Sequence, residues 1–146
     1  MIDPAHIGYR FEPHTQTVEA GRLRFFARTI GETNPVYSNQ QAARSAGYPD
    51  VLVPPTFLFC LDMDTDNPYG YLNDLGIELA KVLHGKQHFR YHLPAFAGDQ
   101  LTFRSVITDI YSKKEGALEF LVRETTVHRV DEKLADLSST IIVRHS

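Results

Sequence analysis

Hydrophobic and polar positions along this chain change period about halfway. Leu23, Phe26, Ala27 and Ile30 fall at i, i+3, i+4 and i+7, one face of a helix. Gly31 then stands where a helix C′ residue belongs. Ahead of that helix, residues 9–18 alternate weakly and predict a short strand. Behind it, Asn34-Pro35 is a turn signal, and Ser38 with Gln41 forms a capping-box pattern opening a short helix from Asn39 to Ala46. Gly47 closes that helix. Next, Pro54-Pro55 precede the apolar run Phe57-Leu58-Phe59-Cys60-Leu61. Proline suits a helix's first turn and breaks its interior, so the pair predicts the start of a helix running from about Thr56 to Met63. This helix is apolar nearly all round, which predicts burial. Residues 64–80, rich in Asp, Asn, Gly and Tyr, read as a long surface excursion.

The second half alternates with a strand period. Residues 82–93, 100–111, 117–130 and 134–144 each predict a strand, as in Leu101-Thr102-Phe103 and Leu118-Glu119-Phe120-Leu121-Val122. Turn chemistry separates them at Ala97-Gly98-Asp99, Lys113-Lys114-Glu115-Gly116 and Asp131-Glu132-Lys133. Short turns between long strands imply an antiparallel meander. A long sheet with one apolar face needs cover, and the buried helix near residues 56–63 supplies it. The expectation is an α+β single domain spanning residues 1–146, with a long antiparallel sheet wrapped around a central buried helix, which is a hotdog fold. Such a sheet keeps an open edge through which hotdog domains usually pair.

Composition narrows the functional classes. The chain has 146 residues, 42% of them hydrophobic and 23% charged, ordinary for one globular domain able to bury its own core. A net charge of −3 argues against a nucleic-acid binder that works by neutralising phosphates. Cys60, the one cysteine, lies in the apolar run and predicts a packed thiol in a reducing compartment. The N-terminal residues lack a basic segment followed by an apolar one, and no stretch approaches the roughly 20 apolar residues of a membrane span. The expectation is a cytoplasmic protein with no membrane partner.

Three segments resemble one family, in order and across nearly the whole chain. Gly31-Glu32-Thr33-Asn34-Pro35-Val36-Tyr37 resembles the active-site loop of MaoC-like enoyl-thioester hydratases and dehydratases. Leu52-Val53-Pro54-Pro55-Thr56-Phe57 resembles the lead-in to that family's central helix. Leu83-His84-Gly85-Lys86-Gln87-His88-Phe89 through Pro94, with Gly98-Asp99-Gln100-Leu101-Thr102, is similar to its following strand and turn. The Pro-Pro-Thr-Phe and Leu-His-Gly segments resemble the N-terminal, dehydratase-like MaoC domain. The resemblance implies reversible addition of water to a 2-enoyl thioester of coenzyme A or acyl carrier protein, with no cofactor. It implies an Asp/His pair that activates the water, and backbone N–H groups at the central helix's N-terminus that meet the thioester oxygen. It further implies substrate contacts from Asn34, Pro55, Thr56 and Gly85.

The chain departs from that pattern at the two positions that matter most. Glu32 stands where the family has Asp, and Tyr37 stands where it has His. A phenol with a pKa of about 10 is a poor base near neutral pH, though it donates hydrogen bonds. Glu32 alone serves as a base only if burial raises its pKa and its longer arm still reaches the water; otherwise it braces the loop. His84 is the best substitute histidine, set against a purely structural hydrogen bond. His84, His88 and His92 at even spacing share one strand face with Lys86 and Arg90, but positions four apart lie about 13 Å apart, too far to ligate one metal. No metal site is expected. Tyr69, Tyr71 and Leu72 line an acyl tunnel or simply pack beneath the excursion. Lys113 and Lys114 attract a carrier's phosphates or sit in a solvated turn. Asp99 is read as turn chemistry.

These residues leave several functions open. The first is a substrate-shaping subunit of a (3R)-hydroxyacyl-thioester dehydratase, heterodimeric with a catalytic MaoC-like subunit. The second is a self-sufficient homodimeric enoyl-CoA hydratase using Glu32 and His84. A non-catalytic acyl-thioester binding module is the third. Thioesterase activity, resting on fold analogy alone, is the weakest.

Overall fold

The computed structural model describes residues 1–145. The helix predicted from Leu23 to Ile30 is α1, Ala20–Thr29, and it buries Leu23 and Ala27. Ile30 becomes the cap residue and is 52% exposed, because the chain turns away there through Gly31 at φ +72°. The next helix, α2, is Gln40–Ser45, and its cap is Asn39 rather than Ser38. Asn39 Oδ1 accepts the Ala42 N–H at 2.8 Å, so the capping pattern is shifted by one residue from the sequence expectation. Helix α3, Phe57–Asp62, follows Pro54-Pro55 and buries Phe57, Leu58, Leu61 and Asp62.

The segment 64–80 is not a plain surface excursion. It contains α4, Tyr71–Asp74, and buries Leu72, Leu75 and Ile77. Leu72 and Leu75 stand three apart, a helical signal masked by Asn73 and Asp74 between them.

Among the described residues five antiparallel strands make one sheet: β1 His14–Thr17, β2 Val82–Tyr91, β3 Gln100–Lys113, β4 Leu118–Arg129 and β5 Glu132–Arg144. Their order is β1-β3-β4-β5-β2, with β1 and β2 at the edges. Only β3, β4 and β5 form the expected meander. β2 crosses to pair with β5 instead of its sequence neighbour β3.

One irregularity in β2 decides where its side chains point. His84 pairs with Ile141 and Lys86 with Thr140, so Gly85 is an extra, bulged residue. Ile141 is buried on the sheet's inner face, whereas Thr140 faces outward, and the bulge therefore reverses the parity of β2. A Cβ on Gly85 would sit 2.7 Å from Ile142 Cγ1 and 3.1 Å from the Thr140 carbonyl oxygen.

The inner face holds two apolar clusters. One gathers Leu23, Phe57, Leu58 and Leu61 against Phe103, Val127 and Leu137. The other gathers Leu72, Leu75 and Ile77 against Ile107, Leu121 and Ile141. A polar belt separates them, because Ser105 follows Phe103 on β3's inner side and Thr125 and Arg123 follow Val127 on β4's. Ser105 Oγ and Thr125 Oγ1 are 2.7 Å apart. Arg123 Nη2 donates to Ser105 Oγ at 2.9 Å and to Asp62 Oδ1 at 3.0 Å. His14 Nε2 lies 3.3 Å from the same oxygen. The guanidinium also covers the Phe11 ring at 4.7 Å.

Two stability predictions come from this packing. Arg123→Ala strands the 6%-exposed Asp62 carboxylate and is expected to cost about 3–5 kcal/mol in urea unfolding, well above the cost of His14→Ala. Gly85→Ala forces Ile142 or the β5 backbone aside and is expected to cost about 1–3 kcal/mol in the same measurement.

Candidate functional site

The loop after α1 is held by its own side chains. The Glu32 N–H donates to the Ala27 carbonyl at 2.8 Å, and Glu32 Oε1 accepts the Asn34 N–H at 2.8 Å. Asn34 Oδ1 in turn accepts the Val36 N–H at 3.2 Å, capping the 3-10 turn Pro35–Tyr37. The Val36 carbonyl accepts the Leu52 N–H at 3.0 Å, which docks this loop on the lead-in to α3. Glu32 and Asn34 therefore both brace the loop.

Beside it lies an apolar cleft of about 290 Å³, lined by Tyr37, Leu52, Pro55, Leu58, Tyr91 and Leu93 among others. Burial, then the charge of Glu32 and then Tyr48, push the Tyr37 phenol above its ordinary pKa. It is neutral at physiological pH, a hydrogen-bonding group and not a base.

At the start of α3 the backbone is unusual. Thr56 has φ +75°, a left-handed conformation that a β-branched residue rarely adopts. Its N–H donates to the Tyr91 hydroxyl at 2.8 Å. The next N–H, from Phe57, goes to the Pro54 carbonyl at 3.2 Å. Two donors that the family resemblance aims at a substrate oxygen are thus engaged within the protein. No motif in the sequence marks Tyr91. The signal available was parity, since Phe89 and Tyr91 both point inward and their rings stack 5.9 Å apart.

His84 is not part of this cleft. The bulge at Gly85 turns it inward, edge-on to Phe59 at 5.5 Å, near the opposite end of β2 from Tyr91. Their β5 partners, Ile141 and Ala135, stand six positions apart, about 20 Å. The expected one-sided row of histidines is also broken. His88 faces outward with Lys86 and Arg90, while His92 Nε2 lies 2.7 Å from Asp136 Oδ2. Gly85 owes its identity to the close approach of Ile142 and Thr140. Tyr69 and Tyr71 border a small cavity of about 30 Å³ at the His84 end, and Leu72 is core. Asp99 is turn chemistry, taking the Phe96 N–H at 2.9 Å, and it also pairs with Arg129 at 2.8 Å. Lys113 lies over the stacked Tyr111 and Phe120 rings at 5.8 and 5.3 Å. No helix of the described residues is long and apolar enough to cross a membrane.

A family model described as the FAS1-like dehydratase domain region matches residues 5–137. A UPF0336 protein of Saccharopolyspora erythraea is 34% identical over 146 residues, covering 98% of this chain and 92% of the relative. Among solved structures, a C-terminally truncated HadBC (3R-hydroxyacyl-ACP dehydratase) complex from Mycobacterium tuberculosis superposes with a TM-score of 0.77 at 24% identity, over 94% of this chain and 96% of that one. The ChsH1–ChsH2 complex from the same organism gives 0.74 at 22% identity, over 93% and 89%. A MaoC-like dehydratase gives 0.85 at 22% identity, over 97% of this chain but 43% of that longer one. At these identities the structural likeness speaks for the fold, and it is the expected hotdog.

The cleft yields a titration prediction. The Tyr37 phenol is expected to ionise above the ordinary tyrosine value of 10.0, and Glu32→Gln should lower its midpoint. Ultraviolet difference titration against Tyr37→Phe measures both. The fold favours the neutral phenol. Stability is full below the unfolded phenol's pKa of about 10 and declines as pH rises from there through the folded midpoint.

Proposed function

The chain belongs to the FAS1-like dehydratase-region family, among the MaoC-like hotdog dehydratases and hydratases, and on that premise we propose that it is the substrate-shaping subunit of a (3R)-hydroxyacyl-thioester dehydratase. Its partner is a catalytic MaoC-like hotdog subunit that carries the Asp/His pair, and its substrate is an acyl thioester. The observation that carries this reading is the Glu32–Asn34 brace. The carboxylate at the Asp position is hydrogen-bonded into its own loop, and the residue at the His position is a neutral phenol in an apolar cleft.

Hydration of a 2-enoyl thioester requires a group that takes a proton from water as the oxygen attacks the β-carbon, and delivery of a proton to the α-carbon. One Glu32 carboxylate oxygen is committed to the Asn34 N–H and Tyr37 is a neutral phenol, which favours a partner's group for the first task. The cleft is suited to a different one. Its apolar walls, Leu52, Pro55 and Leu58, exclude water from an acyl chain, and Tyr37 offers a single hydrogen bond at its rim. Thr56 sits where α3 meets this cleft, with its N–H held by Tyr91. The two mycobacterial neighbours named as complexes, HadBC and ChsH1–ChsH2, support association between hotdog chains. The open edge at β2, ten residues long, is the longer of the two free sheet edges and the better surface for such pairing.

Purified alone, the protein is expected to show no hydration of crotonyl-CoA above background. Mixed with a hotdog partner bearing an intact Asp-x-Asn-Pro-x-His loop, it should form a complex and raise the partner's turnover, and Glu32→Gln should leave that gain within about twofold. Clear turnover by the protein alone, abolished by Glu32→Gln, would replace this reading with a self-sufficient hydratase.

A further inference from the structure

The face of the sheet turned away from α3 carries a groove that the dehydratase reading does not use. Register places Arg104, Thr126, Asp136 and Arg90 side by side across β3, β4, β5 and β2. The adjoining row on the same face is Val106, Glu124, Ser138 and His88, extended by Arg10 through its bridge to Val106. Together the rows floor a groove of about 420 Å³, larger than the apolar cleft at about 290 Å³.

Charge in this groove is not balanced. The Asp136 carboxylate is already neutralised, with His92 Nε2 at 2.7 Å from one oxygen and Lys133 Nζ at 2.6 Å from the other. Arg10, Arg90 and Arg104 form no ion pair among the described residues, and neither does Glu124. Three arginines from separate segments therefore line the groove with a single free carboxylate. Guanidinium forks match phosphate oxygens in geometry and charge. A bare phosphate, however, would leave Glu124 facing an anion. A ligand that carries phosphates together with hydroxyl or amine donors satisfies both kinds of group, and a phosphorylated nucleoside is such a ligand.

The groove is also joined to the cleft. His92 lines the apolar cleft, and its partner Asp136 lines the groove, so one hydrogen-bonded pair is the wall between them. Arg104 and Arg90, three strand spacings apart, are separated by about 14 Å, room for several phosphates in an extended ligand. We propose that this groove binds the phosphorylated nucleotide end of a coenzyme A-type thioester, with Arg10, Arg90 and Arg104 on the phosphates and Glu124 on a sugar hydroxyl or base amine. The identification of the thioester rests on the function proposed above.

The test is calorimetric titration of the full-length protein with coenzyme A, and separately with inorganic phosphate, at low and at physiological salt. Coenzyme A is expected to bind, more weakly at higher salt, and to lose about tenfold or more in affinity with Arg104→Glu and with Arg90→Glu. Arg24→Glu, on the exposed side of α1, should leave the affinity unchanged. Absence of coenzyme A binding at millimolar concentration overturns the proposal. So does an equal loss with Arg24→Glu, or inorganic phosphate binding as tightly as coenzyme A, which would indicate an adventitious ion only. Binding of an acidic carrier protein through the same arginines, without coenzyme A binding, also overturns it. The two readings fail separately. Nucleotide binding without partner-dependent hydration sinks the subunit role and leaves the groove standing, and hydration without nucleotide binding does the reverse.

Discussion

A helix of six residues does not hold itself together in water, so α3 exists only because the sheet covers it. The rest of the molecule is arranged around that requirement. Phe57, Leu58 and Leu61 are buried against side chains from β3, β4 and β5, and the sheet curls to reach them. Both ends of the helix are then held by side chains from strands. Tyr91 of β2 accepts the Thr56 N–H at the start, and Arg123 of β4 grips the Asp62 carboxylate at the end. A short element seated at both ends is a rigid platform, which suits a cleft built on its first turn.

The Asp62–Arg123 pair has a second consequence. A charged pair this deep needs further polar partners, and Ser105 and His14 supply them. The price is a polar belt through the middle of the core, which separates the cluster around α3 from the one around α4. The α4 side, with Tyr71, His84 and Phe59, is therefore a distinct neighbourhood from the Tyr37–Tyr91 cleft. This separation keeps His84 of β2 outside the cleft beside Tyr37.

The two faces of β2 divide the labour differently from what even spacing implies. Gly85 lets the strand bulge against Ile142, His84 turns inward, and Lys86, His88 and Arg90 remain outside. The inner parity delivers Phe89 and Tyr91 to the helix. The outer parity sets Arg90 beside Asp136 and across from Arg104. A single strand thus contributes to the apolar cleft on one face and to a charged groove on the other.

The sequence by itself determined the helix periodicity of α1, the proline-led start of α3, the four long strands and the altered loop at Glu32 and Tyr37. Each of these is a local matter, set by spacing, turn chemistry or residue type. The resemblance to the MaoC family was legible because its motifs are short contiguous segments. What the sequence left open depends on contacts between distant residues. The shift of the α2 cap to Asn39, the burial of Leu72 and Leu75, and the pairing of β2 with β5 are outcomes of tertiary packing. So are the use of the Glu32 carboxylate as a brace and the meeting of Thr56 with Tyr91, 35 residues later. The bulge at Gly85 is the sharpest case. Whether one residue is paired or extruded reverses every side chain on one side of it, and only its close approach to Ile142 on another strand decides which.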